Sequence, residues 1–220
     1  MKRKIITTAD GSKTIQIEDW DEQYHSKHGA VQEAYHVFIK NGLRLFQDTS
    51  IKILEIGFGT GLNALVTFLE SENLNLSIDY VGVEAFPVKT EELAALNYIE
   101  NLNAHEHQEL FEKMHSSSWE TKTEIAQNFR LLKQLKDFKS INDINLFDLV
   151  YYDAFGARVQ PDLWTEELFL KMYLALKRKG VLVTYSAKGS VRRGLEAVGF
   201  SVERLPGPPG KREMLRARKN

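Results

Sequence analysis

The residues whose spacing suits a ligand are Gly57-Phe58-Gly59-Thr60-Gly61, which follow the apolar run Ile53-Leu54-Glu55-Ile56 and lead into Leu62-Asn63. Glycines at alternate positions let backbone pass close to a ligand that any Cβ would displace. A strand that turns through such a loop into a helix places it at the carboxyl edge of an open sheet, where these folds bind their ligands. A dinucleotide fingerprint would carry its third glycine where Leu62 stands, so the G-x-G-x-G spacing turns the expectation away from a pyrophosphate-bearing dinucleotide. Glu84 ends Tyr80-Val81-Gly82-Val83 roughly 20 residues past the turn, the usual place for an acid that grips ribose hydroxyls. Gly57, Gly59, Gly61 and Glu84 are therefore the candidate cofactor contacts, and S-adenosylmethionine is the expected cofactor. Glu55, just before the first glycine, suits either a cofactor's α-amino group or the loop itself, and both assignments stay open.

The candidate catalytic residue is Asp153, delivered to the same edge by Phe147-Asp148-Leu149-Val150-Tyr151-Tyr152. Methyl transfer from a sulfonium is an in-line displacement, so donor and acceptor must be aligned with the acceptor's lone pair free. Asp153 there would take a proton from a substrate amine, directly or through water, or orient the amine and stabilise the charge forming on nitrogen. An ordinary aspartate is a weak base, which makes orientation its larger task. The competing reading is a short acid that caps the turn after its strand.

These side chains need a sheet to hold them. Short apolar runs at Ile51–Ile56, Ile78–Val83, Phe147–Tyr152 and Val181–Tyr185, with a weaker one at Phe129–Leu132, alternate with amphipathic stretches, the pattern of βα units. Helices are expected after Gly61, at Thr90–Leu96, Thr165–Leu176 and Val191–Ala197. The fold class is thus α/β: a Rossmann-like, mostly parallel doubly wound sheet of the class I methyltransferase kind. Ahead of it, Ile5, Thr7 and Thr14, Ile15, Ile17 flank Asp10-Gly11 as a β-hairpin, then a polar loop precedes a helix from about Ala30 to Phe46 with Val31, Ala34, Tyr35, Phe38 and Leu45 on its buried side. Residues 1–48 form this appendage and 49–220 the main domain. Residues 97–128 are a polar, helical insertion, and Phe200–Arg204 with Glu213–Arg216 form a closing hairpin.

Composition narrows the class further. Hydrophobic residues at 43% and charged residues at 27% are those of an ordinary globular chain. With 29 Lys and Arg against 30 Asp and Glu, no overall field demands a polyanionic partner, so any such partner must use a local patch. The absence of cysteine removes thiolate and disulfide chemistry. No apolar run reaches membrane-spanning length, so no membrane partner and a cytoplasmic location are expected. His25 and His28 have metal-ligand spacing without further ligands, and no metal is expected. Positive charge gathers in the last third, at Lys188, Arg192, Arg193, Arg204, Lys211, Arg212, Arg216, Arg218 and Lys219. That concentration is either a solvated face or a rim for phosphates.

Several segments together carry a resemblance: Tyr24, Glu33-Ala34-Tyr35-His36-Val37-Phe38, Gly57 to Asn63, Glu84-Ala85-Phe86-Pro87, Asp153-Ala154-Phe155, Pro161-Asp162-Leu163-Trp164-Thr165, Val191-Arg192-Arg193-Gly194-Leu195 and Gly210-Lys211-Arg212-Glu213-Met214. In these the chain resembles the methyltransferase domain of the MnmC-type tRNA wobble-uridine modification family. The resemblance implies N-methylation of a 5-aminomethyl group on the wobble uridine, with the tRNA anticodon stem-loop as partner and Asp153 as the substrate-side carboxylate. It also adds Asn63 to Gly57, Gly59, Gly61 and Glu84 as cofactor contacts; Arg192, Arg193, Lys211 and Arg212, in loops or helix starts near strand ends, are the expected RNA contacts, and Tyr24 is expected to line the base pocket. Bifunctional relatives continue into an FAD-dependent oxidoreductase domain, whereas this chain ends at Asn220, so no FAD is expected. Relatives carry Gly-Asp after the third strand for the adenine amino group; Lys133-Gln134-Leu135 stands there, with Gln134 as the substitute. The competing functions are an aminopropyl transferase or other small-molecule methyltransferase, and a non-catalytic RNA-binding domain.

Overall fold

A computed structural model describes residues 2–220. The chain begins with β1 (Arg3–Thr7) and β2 (Lys13–Ile17), an antiparallel hairpin that β3 (Glu22–Gln23) extends to a small three-stranded sheet. Asp10 closes its turn, accepting from Thr8 Oγ1, Ser12 N and Ser12 Oγ, while its second oxygen accepts from Gln32 N and ties the hairpin to the helix that follows.

The segment read as one helix from Ala30 to Phe46 is broken into pieces. α1 (Ala30–Ala34) passes into a π-helical stretch over Tyr35–Lys40, and a 3-10 turn at Leu43–Leu45 follows. At Gly42 the backbone leaves the helical region, at φ -119° and ψ -80°. The rotation this introduces puts Leu43 in the core and leaves Leu45 exposed, contrary to the helical spacing.

The main sheet then forms from β4 (Thr49–Ile56), β5 (Leu76–Glu84), β6 (Thr123–Ala126), β7 (Phe129–Leu135), β8 (Phe147–Tyr152), β9 (Leu176–Thr184), β10 (Phe200–Pro206) and β11 (Glu213–Lys219). Their order is β10-β11-β9-β8-β4-β5-β7-β6, with β9, β8, β4, β5 and β7 parallel and both edges closed by antiparallel pairs. Helices α2 (Leu62–Asn73), α3 (Thr90–Ala94), α4 (Tyr98–Asn101), α5 (Gln108–Ser116), α6 (Glu166–Ala175) and α7 (Gly189–Ala197) complete the chain. Central strands are buried on both faces, and period-two alternation sorts them: Ile53, Leu149 and Tyr151 join one core, Leu54, Ile56, Val150 and Tyr152 the other. The β6 edge strand was hidden in the polar 97–128 segment, because an edge strand has little apolar pattern to read. None of the described helices is long and apolar enough to cross a membrane.

One core position breaks the pattern. Lys133 on β7 is 2% exposed, donates to His115 O at 2.6 Å and stands 5.1 Å over the Trp119 ring, with no carboxylate partner among the described residues. Burial pulls its ammonium down to about 8. Between that value and the unfolded-chain value of about 10.4, the unfolded chain binds more protons, so this residue makes stability rise with pH across the window. Lys133→Met should therefore raise the melting temperature more at pH 7 than at pH 10, measured by circular dichroism against wild type. An equal shift at both pH values would count against a buried ammonium.

Candidate active site

At the carboxyl edge the chain leaves β4 between β5 on one side and β8 on the other, and a cavity of about 520 Å³ opens there. The glycine loop forms its floor, with Gly57 at φ 91°, Gly59 at φ 50° and Gly61 at φ 73°. A Cβ on Gly57 would lie 2.7 Å from Asp153 O, and one on Gly59 3.2 Å from the Tyr24 ring. The backbone N–H groups of Gly57 and Phe58 donate to Val83 O, and the Phe58 ring fills the space above Gly82, where a Cβ would be 2.3 Å away. Glu84 holds the loop from the end of β5: its Oε2 accepts from Gly59 N at 3.1 Å and its Oε1 from Phe86 N at 2.9 Å.

Asn63, in the first turn of α2, bridges the two strand-end acids. Its Nδ2 donates to Glu55 Oε1 and to Asp153 Oδ2, both at 2.8 Å. Glu55 is fully buried, lies outside the cavity lining and accepts from Asn63, which does line it. Burial pushes its carboxyl well above the carboxylate range. Its Oε2 and the neighbouring Tyr80 hydroxyl are buried without a hydrogen bond of good geometry, although each lies close enough to shift the other's ionisation.

Asp153 lines the cavity and is crowded by protein, with part of its surface still open to the pocket. Burial, reinforced by the charge of Glu33, raises its carboxyl to about 7, against the opposing pull of Asn63 and Lys211. At that value the carboxyl is a stronger base than the ordinary aspartate assumed from sequence.

The first 48 residues supply one wall. Tyr24 lies edge-on to Phe155 with centroids 4.9 Å apart, and Trp20 meets the same ring at 5.7 Å. Arg158 Nη2 ties this wall to the loop after β8, donating to Trp20 O, Asp21 O and Glu22 Oε2. Trp164, 9% exposed, packs as an anchor and donates to Phe155 O. His25 is buried against Thr14, and no cluster of three or more metal-ligating side chains occurs among the described residues.

The basic residues divide. Lys211, assigned from sequence to an RNA-facing rim, instead turns its ammonium into the cavity and pairs with buried Glu33, because the turn between β10 and β11 folds over α1. Arg192 pairs with Glu196 along α7, Arg216 and Arg218 pair with Glu203, and Arg204 pairs with Glu213. Arg193, Arg212 and Lys188 are exposed and make no ion pair among the described residues; Lys188 borders the cavity, whereas Arg192, Arg193 and Arg212 lie outside its lining. Gln134 also falls outside it, since it is still within β7, paired with Val83; the residues beyond β7 that reach the cavity are Asp137 and Phe138. Sequence reasoning missed Glu33 and Tyr185 as well. Tyr185 was legible as the end of a strand at the ligand edge, and Glu33 as a lone acid among the buried positions of its helix.

A methyltransferase family model described as S-adenosyl-L-methionine-dependent matches residues 100–220, the segment containing Asp153. The tRNA 5-methylaminomethyl-2-thiouridine biosynthesis bifunctional protein MnmC of Hydrogenovibrio crunogenus is 31% identical over 97% of this chain, which spans 33% of that protein. The chain thus spans about a third of the length of the curated relatives it matches. The crystal structure of MnmC2 from Aquifex aeolicus superposes with a TM-score of 0.78 at 28% identity, covering 98% of this chain and 69% of that one. Spermidine synthase from Thermotoga maritima, at 16% identity and a TM-score of 0.55 over 98% of this chain and 72% of its own, shares the fold. The glycine loop, Glu84 and Asp153 therefore sit in the fold that the matched family uses, and the chain belongs to the S-adenosyl-L-methionine-dependent methyltransferases.

Proposed function

We propose that this domain methylates the primary amine of a 5-aminomethyl group on the wobble uridine of tRNA. The observation that carries the reading is Asp153, a carboxyl raised to about 7 that lines the same cavity as the glycine loop. The name of the 31%-identical relative supports the nucleoside.

The residues present fit S-adenosylmethionine. Three glycines in left-handed backbone keep Cβ atoms from alternate positions of the loop, Glu84 keeps lone pairs free for ribose hydroxyls, and Asn63 lines the cavity with a buried Oδ1 that has no hydrogen-bond partner. Gly57, Gly59, Asn63 and Glu84 would hold the cofactor, and Gly61 would set the start of α2. When bound, it supplies an electrophilic methyl on a sulfonium. Asp153 removes one proton from the substrate ammonium, which frees the nitrogen lone pair; the N–C bond forms as the C–S bond breaks, leaving a secondary ammonium and a neutral thioether. Asn63 holds Asp153 in register for the proton, and Tyr24 and Phe155 offer aromatic edges to a base already unpaired in its loop. Lys188, Arg193 and Arg212 are the cations left for RNA phosphates.

The test is transfer of labelled methyl to an anticodon stem-loop carrying 5-aminomethyluridine, beside the same RNA with plain uridine. Label in the first alone is expected. Equal labelling of both, or activity only with decarboxylated S-adenosylmethionine, would overturn the proposal.

A further inference from the structure

The cavity already contains one primary alkylammonium, the side chain of Lys211. Its Nζ donates to Glu33 Oε2 and lies 4.4 Å above the centroid of the Tyr185 ring. Each partner is itself fixed. Glu33, 6% exposed on α1, accepts at its other oxygen from Ser26 N at 3.1 Å, and the Tyr185 hydroxyl donates at 2.8 Å to Ala154 O, the carbonyl next to Asp153. Both charges of the pair reach Asp153, Glu33 favouring its protonated form and Lys211 its ionised form. Carboxylate, aromatic face and second carboxylate thus converge on one end of the cavity.

A buried ion pair is a poor way to stabilise a fold, since desolvation offsets most of its attraction and apolar residues would pack as well. What the pair does provide is a carboxylate kept compensated until another cation arrives. Lys211 has a flexible stem and lies in an exposed turn, so its ammonium has a route back to water. We propose that Glu33, together with Asp153 and the Tyr185 ring, forms the subsite for the substrate's primary ammonium, and that Lys211 is a placeholder which the substrate displaces. The proposal rests on the aminomethyl reading above. It deepens that reading by assigning the amine's second carboxylate and its intramolecular competitor. Cation replaces cation on binding, so Glu33 is compensated both before the substrate ammonium arrives and once it is seated. After transfer the secondary ammonium has one N–H fewer and a methyl group in its place, so Lys211 competes with it better than with the substrate, which favours release after a single methylation.

The experiment measures binding of two stem-loop RNAs, one with 5-aminomethyluridine and one with uridine, in the presence of S-adenosylhomocysteine so that no turnover occurs. Wild type should prefer the aminomethyl RNA. Glu33→Gln should erase that preference by about 10- to 100-fold, the range for losing a hydrogen bond to a charged group, with S-adenosylhomocysteine affinity unchanged. Lys211→Met should tighten the aminomethyl RNA several-fold and leave the uridine RNA alone, which also carries the test if the glutamine variant fails to fold. A preference kept by Glu33→Gln, or equal weakening of both RNAs by Lys211→Met as for a phosphate contact, would overturn the subsite and leave the methyltransferase assignment standing. No preference and no methyl transfer in wild type would instead bring down the aminomethyl reading, and this subsite with it.

Discussion

Asp153→Asn should lower kcat for methyl transfer by roughly 10²- to 10⁴-fold, the usual contribution of a positioned proton acceptor, while S-adenosylhomocysteine binds within a few-fold of wild type. The asparagine keeps the shape and still offers Asn63 Nδ2 an acceptor at Oδ1, so the lost function is the proton alone. In wild type, kcat/KM should rise through about pH 7 as the Asp153 carboxyl ionises, then level. The groups that face it and set this limb are Glu33, Lys211, Glu55 and the Tyr185 and Tyr80 hydroxyls. The same shift has a cost in stability. A carboxyl whose folded value exceeds its unfolded value of about 3.9 makes the native state bind more protons across that window, so stability falls as pH rises through it. Asp153→Asn should therefore melt higher than wild type at pH 8 and show less advantage at pH 4. Retained turnover with an unchanged pH profile would remove Asp153 from the chemistry.

What could be read beforehand was what lies close in sequence. Gly57, Gly59, Gly61 and Glu84 are separated by one strand-helix-strand passage, whose geometry is nearly invariant, and Asp153 ends a strand whose apolar run marks it as central. The Glu33–Lys211 pair joins residues 178 positions apart and depends on the closing hairpin folding over α1, which no periodicity announces. The charge of Lys211 therefore read as surface, because most lysines are solvated. Gln134 falls outside the cavity for a smaller reason: β7 continues past Leu132 to Leu135, so the chain after it meets the cavity at Asp137 and Phe138. The break in the Ala30 helix lies in backbone geometry, a π-helical stretch over Tyr35–Lys40 and a non-helical Gly42, which side-chain spacing does not announce.

Gly57→Ala should weaken cofactor binding more than any other single methyl added to the loop. At φ 91° an L-residue is strained, by about 1–3 kcal/mol in sparsely populated backbone regions. The added Cβ would also stand 2.7 Å from Asp153 O, a backbone atom that cannot swing aside. That carbonyl belongs to a strand end pinned by Asp153 N donating to Ile56 O at 3.0 Å, and Gly57 N is held by Val83 O at the same distance. Relief must therefore come from spreading β4 and β8 at the edge where the ligand sits, which displaces the glycine loop and Asp153 together. Gly59→Ala is the control: its Cβ would meet the Tyr24 ring at 3.2 Å, a side chain able to yield by tenths of an ångström. Calorimetry with S-adenosylhomocysteine should show Gly57→Ala losing affinity by about 30-fold or more, with a total destabilisation of roughly 2–6 kcal/mol from strain and overpacking combined. Gly59→Ala should lose clearly less on both measures. If the two variants behaved alike, the abutment of Gly57 on the Asp153 carbonyl would not be what aligns donor loop and proton acceptor.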